Sequence, residues 1–508
     1  MTSIVQSIRR SRRIRGIRAK VTRRIRGADR RLANPRTWAL AIAGLAALQL
    51  ALILTHRAHV DEYQSIQLTV QAPDIPTLLD WLRYEGHPPL WYFILRGLAY
   101  FMEPMTTLKV AAIGCAVAAH AAILFGSPFT RAEKLLLCTS EFIMFEYMTI
   151  SRSLSLGVAA IVIAMGTWRR RWVWLPIAIL PMCDFLFGVF SVAFVAMKLK
   201  ERDIWVPGLA LWAISGAAAA WSVIPAADME PAIALLAPFQ SFAQWLFTMG
   251  VLLVPFQGAV IPQWDAAPNF LVASWGGVAF LYWAWRETER EALYRIILFA
   301  FVLLTAVFSQ LVYQLSARHL MLIAILFIAL KWRMRARGER PGPAFRLWLA
   351  VASACGLAVA AISFVWPFDT AHLAAREIER LGLRDKHWTV FTVNRAQGIS
   401  AMTGMEFERT ELHCMQSFVR WNKYSDLETP RQVARYFRRM GVLRGKHYLL
   451  TELNLDPIRD DILKPVAFIP RGYDGLSFRI YQVGPNEPER PVSLPPCVPG
   501  RRPFTRLP

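Results

Sequence analysis

Apolar runs broken by short basic or polar segments fill most of the chain up to residue 366. They recur at 37–54, 108–126, 135–150, 154–168, 172–197, 204–224, 270–285, 296–313, 320–332 and 347–366. A helix crosses a bilayer in about 20 residues at 1.5 Å each. The pattern therefore predicts an α-helical polytopic membrane protein. Run 172–197 is interrupted near Asp184, which predicts a pair of short helices there. Two further runs, 88–102 and 242–256, are short for a crossing.

Between the first run and His87 the pattern narrows to one face. Ile75, Leu78, Leu79 and Leu82 recur at helical spacing behind Asp74, a suitable N-cap, and Pro76 in the first turn. This predicts an amphipathic helix lying on the membrane surface. After residue 366 the texture changes again. Strand-like runs at 387–393, 447–451 and 478–483 flank a helical stretch at 430–440 with Val433 and Phe437 on one side. They predict a soluble α/β domain whose end, from Pro485, is proline-rich and loosely ordered. Three domains result: a basic arm (1–36), a transmembrane domain (37–366) with its first outer loop at 55–104, and a soluble domain (367–508).

Charge sets the expected sidedness. The 508 residues are 55% hydrophobic, with a formal net charge of +22. Residues 1–36 hold thirteen Arg or Lys against the single acid Asp29. An apolar run follows at once, so the arm reads as an inside anchor on anionic lipid and not as a nucleic-acid tail. Further basic clusters stand at 168–172, 198–202 and 331–340. Placing all four on the cytoplasmic side is self-consistent if 88–102 makes no net crossing and 225–268 stays outside. About 11–13 apolar segments then enter the membrane, and Glu62, Arg152, Arg318 and the whole tail face outward. Cys115, Cys138, Cys183 and Cys355 lie in apolar runs and read as packing residues. Cys414 and Cys497 lie in the tail, where an oxidising compartment leaves both a disulfide and free thiols open. No glycine-rich phosphate loop follows a strand, so nothing points to a nucleotide site.

The chemistry-bearing residues cluster on the outward side. Asp61 and Glu62 follow the first apolar run. A partly desolvated carboxylate there suits a general base; the plain alternative is a solvated charge flanking a span. Arg152 and Arg318 open later apolar runs, where a guanidinium grips phosphate oxygens or snorkels to headgroups. His87 is pinned before Pro88 and Pro89, and His319 adjoins Arg318. Glu141, Glu146 and Asp184 are secondary candidates, because acids in apolar runs are costly.

In their order, the motifs Asp61-Glu62, His87-Pro88-Pro89-Leu90-Trp91-Tyr92, Ser151-Arg152-Ser153-Leu154 and Ser316-Ala317-Arg318-His319 resemble the GT-C superfamily over residues 37–366. These are membrane glycosyltransferases that use polyprenyl-phosphate sugars, and they include protein O-mannosyltransferases and lipid A aminoarabinose transferases. The resemblance implies that Asp61 is the catalytic carboxylate with Glu62 beside it, and that Arg152 and Arg318 bind the lipid phosphate. The family's tyrosine is replaced by Leu154, and its nearby glutamate is shifted to Glu146. His87 and His319 become substrate contacts. Asp61 and Glu62 are also a possible site for a divalent metal ion (Mg or Mn). The partners are then a polyprenyl-phosphate sugar donor, a glycan, lipid or protein acceptor, and membrane lipids, with no nucleic acid. The expected location is a bacterial inner membrane, with the N-terminus cytoplasmic and the tail periplasmic. A transporter, or a polymerase or ligase, of lipid-linked saccharides is the rival reading.

Overall fold

The structure is a computed structural model that describes residues 23–227, 229, 238–256, 270–339, 342–391, 395–409, 412–421 and 430–497. The basic arm up to residue 22 lies outside the described residues. The chain divides into two compact units. One comprises residues 1–56, 109–221 and 232–365; the other comprises 57–108, 222–231 and 366–508. The predicted outer loop thus packs with the tail.

The first unit is helical. Among the described residues, four helices are long and apolar enough to cross a membrane: Pro35–Thr55, Pro104–Gly126, Ala292–Leu311 and Pro343–Val365. Runs 270–285 and 320–332 lie in helices Phe270–Glu287 and Ala317–Ala336, and several other apolar runs form shorter pieces where polar residues cap them. Asp184 breaks run 172–197 as expected, its Oδ1 accepting from Leu186 N (2.9 Å) to start helix Phe185–Lys200. Run 135–150 is not one helix. Helix Arg131–Cys138 stops, and Ser140 caps a wide helical turn, Glu141–Tyr147, with every residue buried. Gln49 of the first helix clamps that turn by donating from Nε2 to Met144 O, Met148 O and Thr149 Oγ1 (3.2, 3.2 and 3.0 Å). A buried amide with three carbonyl or hydroxyl partners fixes the register of the two segments.

The described basic clusters meet at one end of this unit. Glu201 accepts from Trp168, Arg333 and Arg337 (2.7, 2.8 and 2.7 Å). Arg335 and Arg346 both reach Glu133 (2.7 and 2.8 Å). Arg131 donates to Leu32 O and Ala33 O, and Asp29 accepts from Ala132 N. The segments at 29–33, 168, 198–201 and 333–337 therefore share an end. Arg318 opens helix Ala317–Ala336 and so lies at its other end, about 30 Å away at 1.5 Å per residue.

The second unit is a six-stranded sheet ordered β3-β2-β1-β4-β6-β5, from β1 (Trp388–Val390), β2 (Phe407–Arg409), β3 (Cys414–Gln416), β4 (His447–Thr451), β5 (Leu463–Ile469) and β6 (Phe478–Val483). β1 runs parallel to β2 and β4, and the remaining pairings are antiparallel. Helix Pro430–Arg444 buries Val433, Tyr436, Phe437 and Met440 against Leu449, Leu463, Tyr481 and Val483. This is the amphipathic face that the sequence predicts. The proline-rich end differs from expectation as far as Cys497. It lies along β3, with Met415 N donating to Pro495 O and Cys497 N to Met415 O. A disulfide joins Cys414 to Cys497 across 83 residues. Closing such a loop restricts the unfolded chain and adds about 2–4 kcal/mol.

Onto this sheet domain the early loop packs as three helices, Val60–Gln71, Ile75–Leu82 and Leu90–Ala99. The predicted cap at Asp74 is present, its Oδ1 accepting from Thr77 N (2.7 Å), and Leu78 and Leu82 are buried. Gly398 shows how tight the join is. A Cβ there would stand 2.6 Å from Ala371 Cβ and 2.8 Å from Tyr63 Cε2, so only glycine fits.

Candidate active site

Helix Val60–Gln71 begins with two acids in its first turn, where the helix dipole favours negative charge. They do different things. Glu62 is 1% exposed, and its Oε2 accepts from His59 N (2.8 Å), closing a capping box. Asp61 keeps its side chain 31% exposed, with Oδ2 3.9 Å from His59 Nδ1. Glu62 is thus tied to the helix end, and Asp61 is the acid that reaches solvent.

Gln64 shares a helix face with Asp61. Its Oε1 accepts from Val419 N (3.0 Å), and its Nε2 donates to Val419 O (2.6 Å) and to Glu85 Oε1 (2.8 Å). Glu85 closes the turn after helix Ile75–Leu82, its N donating to Leu82 O (3.0 Å). Gly86 then takes a left-handed φ of 67°, which turns the chain toward His87, Pro88 and Pro89. Burial pushes the Glu85 carboxyl up to about 7. The Gln64 hydrogen bond and His87 pull it down, and the Asp61 charge pushes it up. Glu85 therefore feels both Asp61 and His87. Sequence reasoning missed Glu85. Its signal, an acid two residues before His87, was no stronger than that of Asp74, Asp80 or Glu103.

Deeper in the same unit is a second acidic pair. Asp369 Oδ1 accepts from Ala371 N (2.6 Å), and Asp474 Oδ1 accepts from Leu476 N (2.9 Å). The two carboxyls act on each other's proton affinity. Burial pushes Asp369 up to about 6; burial and the neighbouring Asp369 push Asp474 up to about 9. Tyr63 is raised as well, by burial first and then by Asp369 and Glu62.

In the helical unit, Arg152 is the N-cap residue of helix Ser153–Gly166, its backbone N donating to Ser155 Oγ (3.3 Å). It follows the buried turn Glu141–Tyr147 by five residues. Tyr147 Oη donates to Arg318 O (2.6 Å), so Arg318 stands beside that turn. His319 Nδ1 lies 2.9 Å from Ser316 Oγ and 3.5 Å from Tyr313 Oη. The fold thus gathers Asp61, Glu62 and His87 in one unit. It gathers Arg152, Arg318 and His319 in the other, at the end away from the basic clusters.

The donors suit a metal ion poorly. Glu62 faces the helix end, and among the described residues no three His, Cys, Asp or Glu are grouped to hold one.

No protein-family model matches the chain, and no curated protein sequence matches it. One similar solved structure is the crystal structure of ArnT from Cupriavidus metallidurans bound to undecaprenyl phosphate. It is 10% identical, with 90% of this chain and 100% of that chain covered and a TM-score of 0.46. Likeness at that level leaves function to be argued from this chain's own residues.

Proposed function

We propose that the protein is a membrane glycosyltransferase. It moves a monosaccharide from a polyprenyl-phosphate carrier to a hydroxyl of a cell-envelope acceptor. The observation that carries this reading is the division of labour in the Asp61–Glu62 pair: Glu62 caps the helix, and Asp61 presents its carboxylate beside a second acid poised near neutrality. An acid so placed suits general-base catalysis. Asp61 takes the proton of the acceptor hydroxyl as its oxygen attacks the anomeric carbon. The carbon–phosphate-oxygen bond breaks, and the lipid phosphate leaves with its charge on Arg152 and Arg318. His87 and His319 contact the donor. No step runs through a metal ion.

The side chosen for the chemistry is the outer one. Basic clusters gathered at one end of the helical unit support a cytoplasmic placement of that end. The Cys414–Cys497 disulfide supports a tail in an oxidising compartment.

The test is sugar transfer in proteoliposomes loaded with lipid-linked sugar and acceptor. Asp61→Asn is expected to lower kcat by about 10²–10⁴-fold while donor binding persists. Transfer at the wild-type rate by that variant removes the base assignment. Lipid-linked sugar that crosses the bilayer without transfer supports the transporter reading instead.

A further inference from the structure

We infer that His59 is a positioning residue for Asp61: its imidazole holds the Asp61 carboxylate at the outward edge of the helix end, where the acceptor hydroxyl reaches it. The inference rests on the transferase reading above.

The contacts are direct. His59 is the N-cap of helix Val60–Gln71, and its Nδ1 accepts from Asp61 N (3.4 Å). An Nδ1 that accepts carries no proton, so the proton is on Nε2 and the ring is neutral. The same Nδ1 stands 3.9 Å from Asp61 Oδ2. A lone pair facing a carboxylate oxygen repels it. A carboxylate in the first turn of a helix is ordinarily drawn back onto the N–H groups there. Here those groups have other acceptors: His59 Nδ1 takes Asp61 N, and His59 O takes Glu62 N and Tyr63 N (2.9 and 3.0 Å). Both effects favour the outward rotamer of Asp61, whose side chain keeps 31% of its surface exposed.

The ring itself is fixed from the sheet. His59 is buried, and it meets Phe368 edge-on, with centroids 5.9 Å apart and planes at 67°, a favoured aromatic geometry. Phe368 is 1% exposed, and its O accepts from Asp474 N (2.9 Å). A Cβ on Gly472 would collide with that same oxygen. Phe368 therefore cannot shift without moving the turn at 472–474, and the imidazole that leans on it cannot swing away from Asp61. Glu62 completes the arrangement from the other side, its Oε2 accepting from His59 N (2.8 Å). One acid of the pair thus anchors the histidine, and the histidine places the other acid.

The experiment measures kcat and donor KM for sugar transfer in proteoliposomes, with the melting midpoint of each variant. His59→Leu fills the space against Phe368 but offers no acceptor. It should lose about 10–100-fold in kcat, the cost of a misplaced reacting group, with the donor KM within about twofold. His59→Asn, whose Oδ1 takes the place of Nδ1, should recover most of that loss. Asp74→Ala removes the cap of the next loop helix; it should lower the midpoint with kcat unchanged. Adding His59→Leu to Asp61→Asn should cost no further kcat, because His59 acts only through Asp61. Wild-type kcat in His59→Leu, an equal fall in Asp74→Ala, or an additive fall in the double variant overturns the role of His59 alone. Should His59→Leu fail to fold, His59→Gln carries its acceptor farther from the backbone, and wild-type kcat in that variant overturns the role equally. Transfer at the wild-type rate by Asp61→Asn takes down the transferase reading and this inference together.

Discussion

Two sets of buried acids in this molecule are handled in opposite ways. At the basic end of the helical unit Glu133, Glu287 and Glu291 each have a cation. Glu133 is fully buried between Arg335 and Arg346, Glu287 takes Lys331 (2.9 Å), and Glu291 takes Lys200 and Arg337 (2.8 Å each). In the loop-and-sheet unit, Glu85, Asp369 and Asp474 are buried or partly buried with no lysine or arginine at ion-pair distance among the described residues. Their proton affinities are raised in consequence. The contrast is not one of unit alone. Glu408, in the sheet, accepts from His387 (2.6 Å) and His413 (2.9 Å) and pairs with Arg444 (3.2 Å). Burial opposes its charge, but these partners win and hold the carboxyl well below the usual range. Paired acids fix structure. Acids left near their titration point are where proton chemistry is to be sought.

The comparison can be broken most severely at Glu133. Glu133→Ala leaves two buried guanidinium groups without their anion and opens the cap at Thr130. A loss of about 3–5 kcal/mol is expected, read as the unfolding midpoint of the detergent-solubilised protein. A loss below about 1 kcal/mol, the value of an exposed pair, would place that end in water.

The reverse sign is expected at Asp474. Its folded proton affinity is raised from the ordinary value to about 9. The folded chain then binds more protons than the unfolded chain across that window, and stability falls as pH rises through it. Asp474→Asn removes the ionisation and keeps an acceptor for Leu476 N. It should stabilise the protein at pH 8 by at least about 1.4 kcal/mol, the equivalent of one pKa unit, and give little or nothing near pH 4. Melting curves at the two pH values check it; an equal effect at both removes the titration argument.

The smallest effect sharpens the rule. Arg459 and Asp461 form a two-point pair (3.0 Å) with side chains 75% and 44% exposed. Arg459→Ala should cost under about 0.5 kcal/mol, measured the same way. A larger loss would mean that pairing matters irrespective of burial.

How legible this was in the sequence depended on range. Asp74 and the Ile75–Leu82 face were readable because a cap and a helical stripe are local signals. β4 and β6 match the strand-like runs because both are five or six residues of mostly buried side chains. β2 and β3, at three residues each, carry no pattern, and edge strand β5 exposes Lys464 and Pro465 where an apolar alternation would be sought. Run 135–150 read as continuous because the hydroxyl cap at Ser140 sits inside an apolar stretch. Asp61, Arg152 and Arg318 stood out by position after or before a span. Glu85 did not, because its raised proton affinity comes from burial, and the Gln64 that contacts it is itself held by Val419, 355 residues away.

That separation has a consequence for biogenesis. A ribosome adds about 5–20 residues per second, so Gln64 emerges tens of seconds before the strand-flanking segment that will hold it. Throughout that interval the three loop helices must wait, half-assembled, for a partner that is still being translated. Nascent chains stopped anywhere before Val419 would display this loop unsheltered to proteases and chaperones, making synthesis past Val419 the checkpoint for assembling the acidic loop.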